Sequence, residues 1–312
     1  MAKTTKIEWA ESTWSPWYGC RHVSPGCDFC YAEVWAKRTG RDFSEITRAS
    51  SNTFYAPLKW KDPRRIFTCS LSDFFVKEAD PWREEAWDII KATPQHTYLI
   101  LTKRPGRMVW WLEDHKWLDN VWAGVSIEAA QIGKKRYIQR LELLEVVSAK
   151  VRFISAEPLL GPLDLSEWLG CDYCSHTDKL RGTDTSPHHI QWVIVGGESG
   201  PGARPMNPEW VRSIRDQCVA AKVPFFFKQW GAWLPRGQKP ADGPIWLGVM
   251  DASEMYKKGL PSTGDPREQY GIRDYTRVGK KAAGAMLDGR EWREIPKPKD
   301  WQKVGAGLKT PL

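Results

Sequence analysis

The chain has 312 residues, of which 41% are apolar and 27% charged, so it is long enough for one large domain or two ordinary ones and is neither disordered nor fibrous in composition. No stretch approaches the roughly 18 uncharged apolar residues of a membrane span, and the start MAKTTKIEWAESTW lacks the basic onset and apolar run of a secretory signal, so a cytoplasmic protein with no membrane partner is expected. A net charge of +8 and 19 tryptophans, several interleaved with Lys and Arg as in RPGRMVWWLEDHKW, favour a polyanionic partner, although core packing accounts for most indoles in any fold.

In chain order, the first feature is YGCRHVSPGCDFCYAE, which places Cys20, Cys27 and Cys30 close together in a chain with only seven cysteines. Three is an odd number for disulfides, and in a reducing compartment clustered thiols point to metal ligation or redox chemistry. Apolar runs rich in β-formers follow at 65–75 (RIFTCSLSDFF), 97–105 (TYLILTKRP), 120–128 (NVWAGVSIE), 150–161 (KVRFISAEPLLG), 191–200 (QWVIVGGESG) and 223–231 (VPFFFKQWG). Between them the apolar spacing predicts helices over 80–93, 129–145 and 207–221, the last with Asn207 as N-cap and Pro208 in the first turn.

Strands buried on both faces that alternate with helices predict a parallel sheet, here a partial or full β/α barrel of about six β/α units. The barrel is expected to span 1–234, with a polar insertion at 162–190 and a C-terminal extension at 235–312 in which KKAAGAMLDG reads as a short helix ending at Gly289. In such a fold the polar residues at strand ends converge on one mouth.

The three early thiols suit a cubane iron–sulfur cluster, because three thiolates leave one iron open. Zinc, with His22 as a further ligand, and inert buried thiols are the alternatives. In the insertion, Cys171 and Cys174 form a second C-x2-C followed by His176, His188 and His189, a donor set suited to a structural zinc, to an auxiliary iron–sulfur site or to no metal at all.

The run Cys27-Asp28-Phe29-Cys30 resembles the C-x-aromatic-C of radical S-adenosylmethionine enzymes, with C-x6-C-x2-C in place of their usual C-x3-C-x2-C. More closely, the chain resembles a phage and prophage family of three-cysteine proteins that share KIEW, VSPGC, CYAE, LTKRP, EPLLGP, VIVGGESGPGARPM, FFKQWG and GKKAAG, all present between Lys6 and about Pro296. The resemblance implies a [4Fe-4S] cluster on Cys20, Cys27 and Cys30 and S-adenosyl-L-methionine beside it, with the backbone near Phe29 facing the adenine. It implies that Ser70, Ser72 and Asp73 stand where the superfamily binds the cofactor's amino group, although this chain has SLSD in place of Gly-Gly-Glu. Ser126 and Glu128 would hold the ribose, Gly196 and Gly197 would allow close backbone approach, and Glu157 and Glu198 would bind cofactor or substrate. Cys69 is a candidate hydrogen donor and, with Lys103 and Glu157, makes up the candidate catalytic set. Lys103, Arg104, Arg204 and Lys228 would ring the mouth with positive charge for a phosphate-bearing substrate.

The implied activity is reductive cleavage of S-adenosylmethionine, driven by a donor such as flavodoxin or ferredoxin, in the cytoplasm of a phage-infected or lysogenic host. Isomerase, lyase and transferase outcomes all stay open. The expected substrate is a nucleic acid or nucleotide, with a hypermodified base of phage DNA as the specific case. A tRNA-modifying enzyme, or a metal-containing DNA- or RNA-binding or repair module without radical chemistry, are the competing readings.

Overall fold

The computed structural model describes residues 4–169, 190–241, 250–251 and 274–297. Seven strands form one parallel sheet: β1 (Ser12–Trp14), β2 (Arg65–Thr68), β3 (Thr97–Thr102), β4 (Val121–Ser126), β5 (Arg152–Ala156), β6 (Trp192–Gly196) and β7 (Phe225–Gln229). Each pairs with its neighbour in chain order, and the sheet curls into a half-barrel, so the protein is a partial β/α barrel. The main helices are α1 (Tyr31–Arg38), α2 (Asp80–Ala92), α3 (Pro105–Trp111), α4 (Gln139–Glu145) and α5 (Pro208–Ala220).

Period-two alternation along the strands divides the apolar residues between two cores. Ile66, Ile100, Val125, Ile154, Val195 and Phe227 belong to the cluster that includes the buried helix faces. Their neighbours Phe67, Leu99, Trp122, Phe153, Ile194 and Phe226 form the second cluster, on the concave side of the curl. Gly124 makes room there, since a β-carbon on it would lie 2.3 Å from the Phe153 ring.

The concave core is completed from outside the sheet. Trp9 packs on Phe67 at 4.6 Å between ring centroids and against Trp192 at 6.1 Å. From the other end of the chain, Phe227 N–H donates to Trp292 O (2.9 Å) and Glu294 N–H to Phe225 O (3.2 Å). The Trp192 indole donates to Glu294 O at 2.8 Å, and Arg293 pairs with Glu8 at 2.9 Å. These two segments form a seam at the free edge of β7.

Helix α5 has the cap expected of it: the Asn207 side chain accepts from Glu209 N–H at 2.9 Å, with Pro208 in the first turn. The helix expected over 129–145 is shorter. Only Gln139–Glu145 is α-helical, because Gly133, at φ +58°, turns a hairpin that pairs Gln131–Ile132 with Lys135–Arg136. The helix expected in KKAAGAMLDG is likewise one turn, Lys280–Ala283, followed by a hairpin pairing Met286–Leu287 with Arg290–Glu291. Asp288 and Gly289 both have left-handed backbone at its tip (φ +52° and +80°), as a tight hairpin turn of this twist requires. Cys171, Cys174, His176, His188 and His189 lie outside the described residues. No helix among the described residues is long and apolar enough to cross a membrane.

Candidate functional site

A cavity of about 390 Å³ opens at the C-terminal ends of the strands. Its floor is apolar, from Trp9, Phe67 and Leu101, and its wall on one side is the loop after β1 that carries Cys20, Cys27 and Cys30. Of the described candidates, all but His22, Glu128, Gly196 and Arg204 line this one cavity. Glu128, Gly196 and Arg204 support it from behind.

The cysteine loop is held at four strand ends, and the acidic and basic residues expected to contact cofactor or substrate form most of the anchors. After β2, Asp73 is 5% exposed and accepts from Phe75 N–H (2.9 Å), Thr102 O–H (2.7 Å), Lys103 N–H (3.0 Å) and Arg104 Nη1 (2.9 Å). That leaves Arg104 aimed at the loop, where it donates to Arg21 O at 2.7 Å and lies 3.6 Å from Cys20 Sγ. Ser72 O–H donates to Gly19 O (2.5 Å) and Tyr31 O–H to Ser70 O (2.6 Å).

At the end of β4, Glu128 is fully buried and accepts from Ser24 O–H at 2.6 Å and Arg140 Nη1 at 2.9 Å, with Lys103 Nζ 3.7 Å away. Gly26 lies against it so closely that a β-carbon would stand 2.4 Å from Glu128 Oε1. Beyond β6, Glu198 binds Arg204 through Nε (2.8 Å) and Nη2, and the same guanidinium donates to Pro25 O (2.7 Å) and Asp28 Oδ2 (3.4 Å). Arg204 also sits over the Phe29 ring at 5.2 Å, and that ring rests on Gly202, where a β-carbon would come within 2.1 Å. Arg204 and Glu128 therefore position the loop, and sequence reasoning missed this because spacing shows which residues end a strand but not what loop lies across them.

The glycines after β6 also serve close approach. A β-carbon on Gly196 would lie 2.5 Å from Glu157 Oε1, and one on Gly197 would lie 2.1 Å from Trp230 O. Glu157 in turn accepts from Ser155 O–H (3.2 Å) and pairs with Lys228 at 2.8 Å.

All three loop thiols are free, as are Cys69 and Cys218. Burial, helped by the charge of Asp73, pushes the Cys20 thiol up to about 11, and burial raises Cys30 as well. Cys69 follows β2 in left-handed backbone (φ +61°) and is 3% exposed; burial raises its thiol well above the ordinary range. These shifts hold protons on Cys20 and Cys30 more tightly, so a metal binding there would have to displace them. Among the described residues no three His, Cys, Asp or Glu side chains are gathered closely enough to hold a single metal ion, and His22 Nε2 shares a hydrogen bond with Glu33 Oε2 at 3.2 Å. The thiols instead share one cavity wall. Three free cysteines on one cavity wall are the kind of ligand set a cubane with one open iron uses, and the cavity beside them leaves room for a small molecule, so the residues present fit that group.

Three charged cavity residues were not singled out from the sequence: Lys6, before β1, Arg21, in the cysteine loop, and Lys280, in the turn Lys280–Ala283. The signal for Lys280 was its place in GKKAAG, beside residues whose contacts only folding reveals.

The family described as "Protein of unknown function (DUF5131)" matches residues 4–296, and the chain belongs to it. No curated protein and no solved structure matches the chain.

Proposed function

We propose that this protein is a radical S-adenosylmethionine enzyme that acts on a nucleotide or nucleic-acid substrate. The observation that carries this reading is the convergence of three free thiols from one anchored loop on a cavity at the C-terminal mouth of a partial β/α barrel. Cys20, Cys27 and Cys30 would hold a [4Fe-4S] cluster, with S-adenosylmethionine in the adjoining cavity. When bound and given one electron by a flavodoxin- or ferredoxin-type reductant, that pair supplies cleavage of the sulfonium C–S bond to methionine and a 5′-deoxyadenosyl radical that takes hydrogen from substrate.

The chain's own contribution is placement and exclusion of water. The anchors Asp73–Arg104, Glu128–Arg140 and Glu198–Arg204 fix the loop, so that the thiols meet the cavity in one arrangement. Trp9, Phe67 and Leu101 seal the floor. Ser155, Glu157 and Gln229 provide polar groups above it, and Cys69 places a protonated thiol on the same wall. The basic balance of the chain and the lysines of the cavity support an anionic substrate.

Anaerobic reconstitution tests the reading. The protein should take up about four irons per chain and turn brown, and Cys27→Ala should abolish the colour. Dithionite and S-adenosylmethionine should then yield 5′-deoxyadenosine. A chain that stays colourless under these conditions, or a fully loaded cluster that releases no 5′-deoxyadenosine, overturns it.

A further inference from the structure

The positive charge around the cavity is unevenly committed. Arg104 and Arg204 are spent on the cysteine loop, and Lys103 lies 3.7 Å from the buried Glu128 carboxylate. Lys6, ahead of β1, Lys228, in β7, and Lys280, in the turn Lys280–Ala283, line the same cavity. Glu157 is the acid among them and pairs with Lys228 at 2.8 Å. Glu8, the other acid that Lys280 senses, is held by Arg293 at 2.9 Å. Lys228 is thus paired, whereas neither Lys6 nor Lys280 forms an ion pair among the described residues, leaving two positive charges at the cavity without a bonded counter-charge. Beside them Gln229 is 6% exposed and its Oε1 has no hydrogen-bond partner, while its Nε2 donates to Gly197 O at 2.9 Å.

We propose that Lys6, Lys228 and Lys280 form an anion subsite for the phosphate monoester of a substrate mononucleotide. Two uncompensated charges match a phosphate monoester, which carries about −1.5 to −2 at neutral pH, better than the single charge of a carboxylate or phosphodiester. Ammonium groups bind phosphate well as point charges. Burial, together with repulsion from Lys228, lowers the proton affinity of Lys280, and an anion beside both ammonium groups offsets the repulsion. The subsite deepens the radical reading, and it rests on that reading in one respect. A sulfonium cofactor is a cation and belongs beside the thiols, which leaves the lysines for the anionic substrate.

Isothermal titration of the full-length protein, with or without iron, tests the subsite. The probes are the four common deoxynucleoside 5′-monophosphates, their nucleosides, inorganic phosphate and a hexathymidylate without terminal phosphate. At least one monophosphate should bind about tenfold or more tightly than its nucleoside, with inorganic phosphate competing. Lys280→Met and Lys6→Met, neither of which breaks an ion pair, should each weaken that binding by about tenfold, and Glu157→Gln should tighten it. Equal affinity for nucleotide and nucleoside, indifference to the lysine substitutions, or a preference for the unphosphorylated oligomer overturns the proposal. Because the titration needs no cluster, lost phosphate binding alongside intact 5′-deoxyadenosine release removes the subsite alone. Retained phosphate binding in a chain that never takes up iron removes the radical reading alone.

Discussion

Arg204 shows how much one side chain can organise. It is 7% exposed, and its guanidinium serves Glu198, Pro25 O and Asp28 while lying over Phe29. Only a planar fork with five donors can satisfy partners in so many directions, so lysine is not an equivalent here. Replacing it with methionine keeps the volume but leaves the Glu198 carboxylate, also 7% exposed, without its counter-charge. Urea unfolding of Arg204→Met should show a loss of about 3 kcal/mol, the usual cost of breaking a buried pair from one side, and Arg204→Lys should fall between the two. A loss below about 1 kcal/mol, the level of an exposed pair, would mean that Glu198 finds another partner and that the loop is not held from β6.

At the scale of elements, regular pieces whose pattern is local were legible and pieces set by tertiary contact were not. The strands β2 to β7 fall inside the apolar runs that announced them, because a strand buried on both faces needs β-formers at every position. Helix α5 carried its own cap in Asn207 and Pro208. The segments 129–145 and 280–289 misled because their apolar residues also fit helical spacing, whereas left-handed residues at Gly133, Gly284, Asp288 and Gly289 break the helix and turn the chain into hairpins. The second hairpin is tied to α5 by charge: Asp288 accepts from Arg212 (2.7 Å), Arg215 (2.8 Å) and Gln238 (3.0 Å). These bonds, that from Arg212 foremost, hold the Asp288 carboxyl well below the usual carboxylate range. A depressed native pKa adds stability that is complete above the unfolded value near 3.8 and drains away as the pH falls toward the native value. Asp288→Asn keeps the left-handed turn, which asparagine tolerates. It should cost about 1 kcal/mol at neutral pH, since the carboxylate is partly exposed, and the gap to wild type should close in acid. A gap that stays constant from pH 7 to about pH 2 would show that the ion pairs contribute nothing to docking the hairpin.

For the molecule as a whole, an open half-barrel has two problems: its last strand exposes a row of unpaired backbone groups, and its concave core lies bare on one side. Both are solved by segments far apart in sequence. Residues 292–294 bond to β7 as an antiparallel cover, and residues 7–10 bring Trp9 into the concave core. Nothing in the local sequence marks either segment for this task, since each makes sense only against the other and against β7. The same closure shapes the site. Trp9, 1% exposed, is both core residue and cavity floor; Lys6 directly precedes the first of these segments, and Lys280, in the turn Lys280–Ala283, lines the same cavity. Removing the indole should therefore weaken fold and site together. Trp9→Ala should cost about 3–5 kcal/mol and lower the melting temperature by on the order of 10 °C, with Trp9→Phe recovering most of the loss. Nucleotide binding should fall in the alanine variant even at temperatures where it stays folded, because the floor beneath the lysines is gone. If Trp9→Ala instead melts with the wild type, the seam is not a closure of the barrel, and the cavity lysines are held in place by something else.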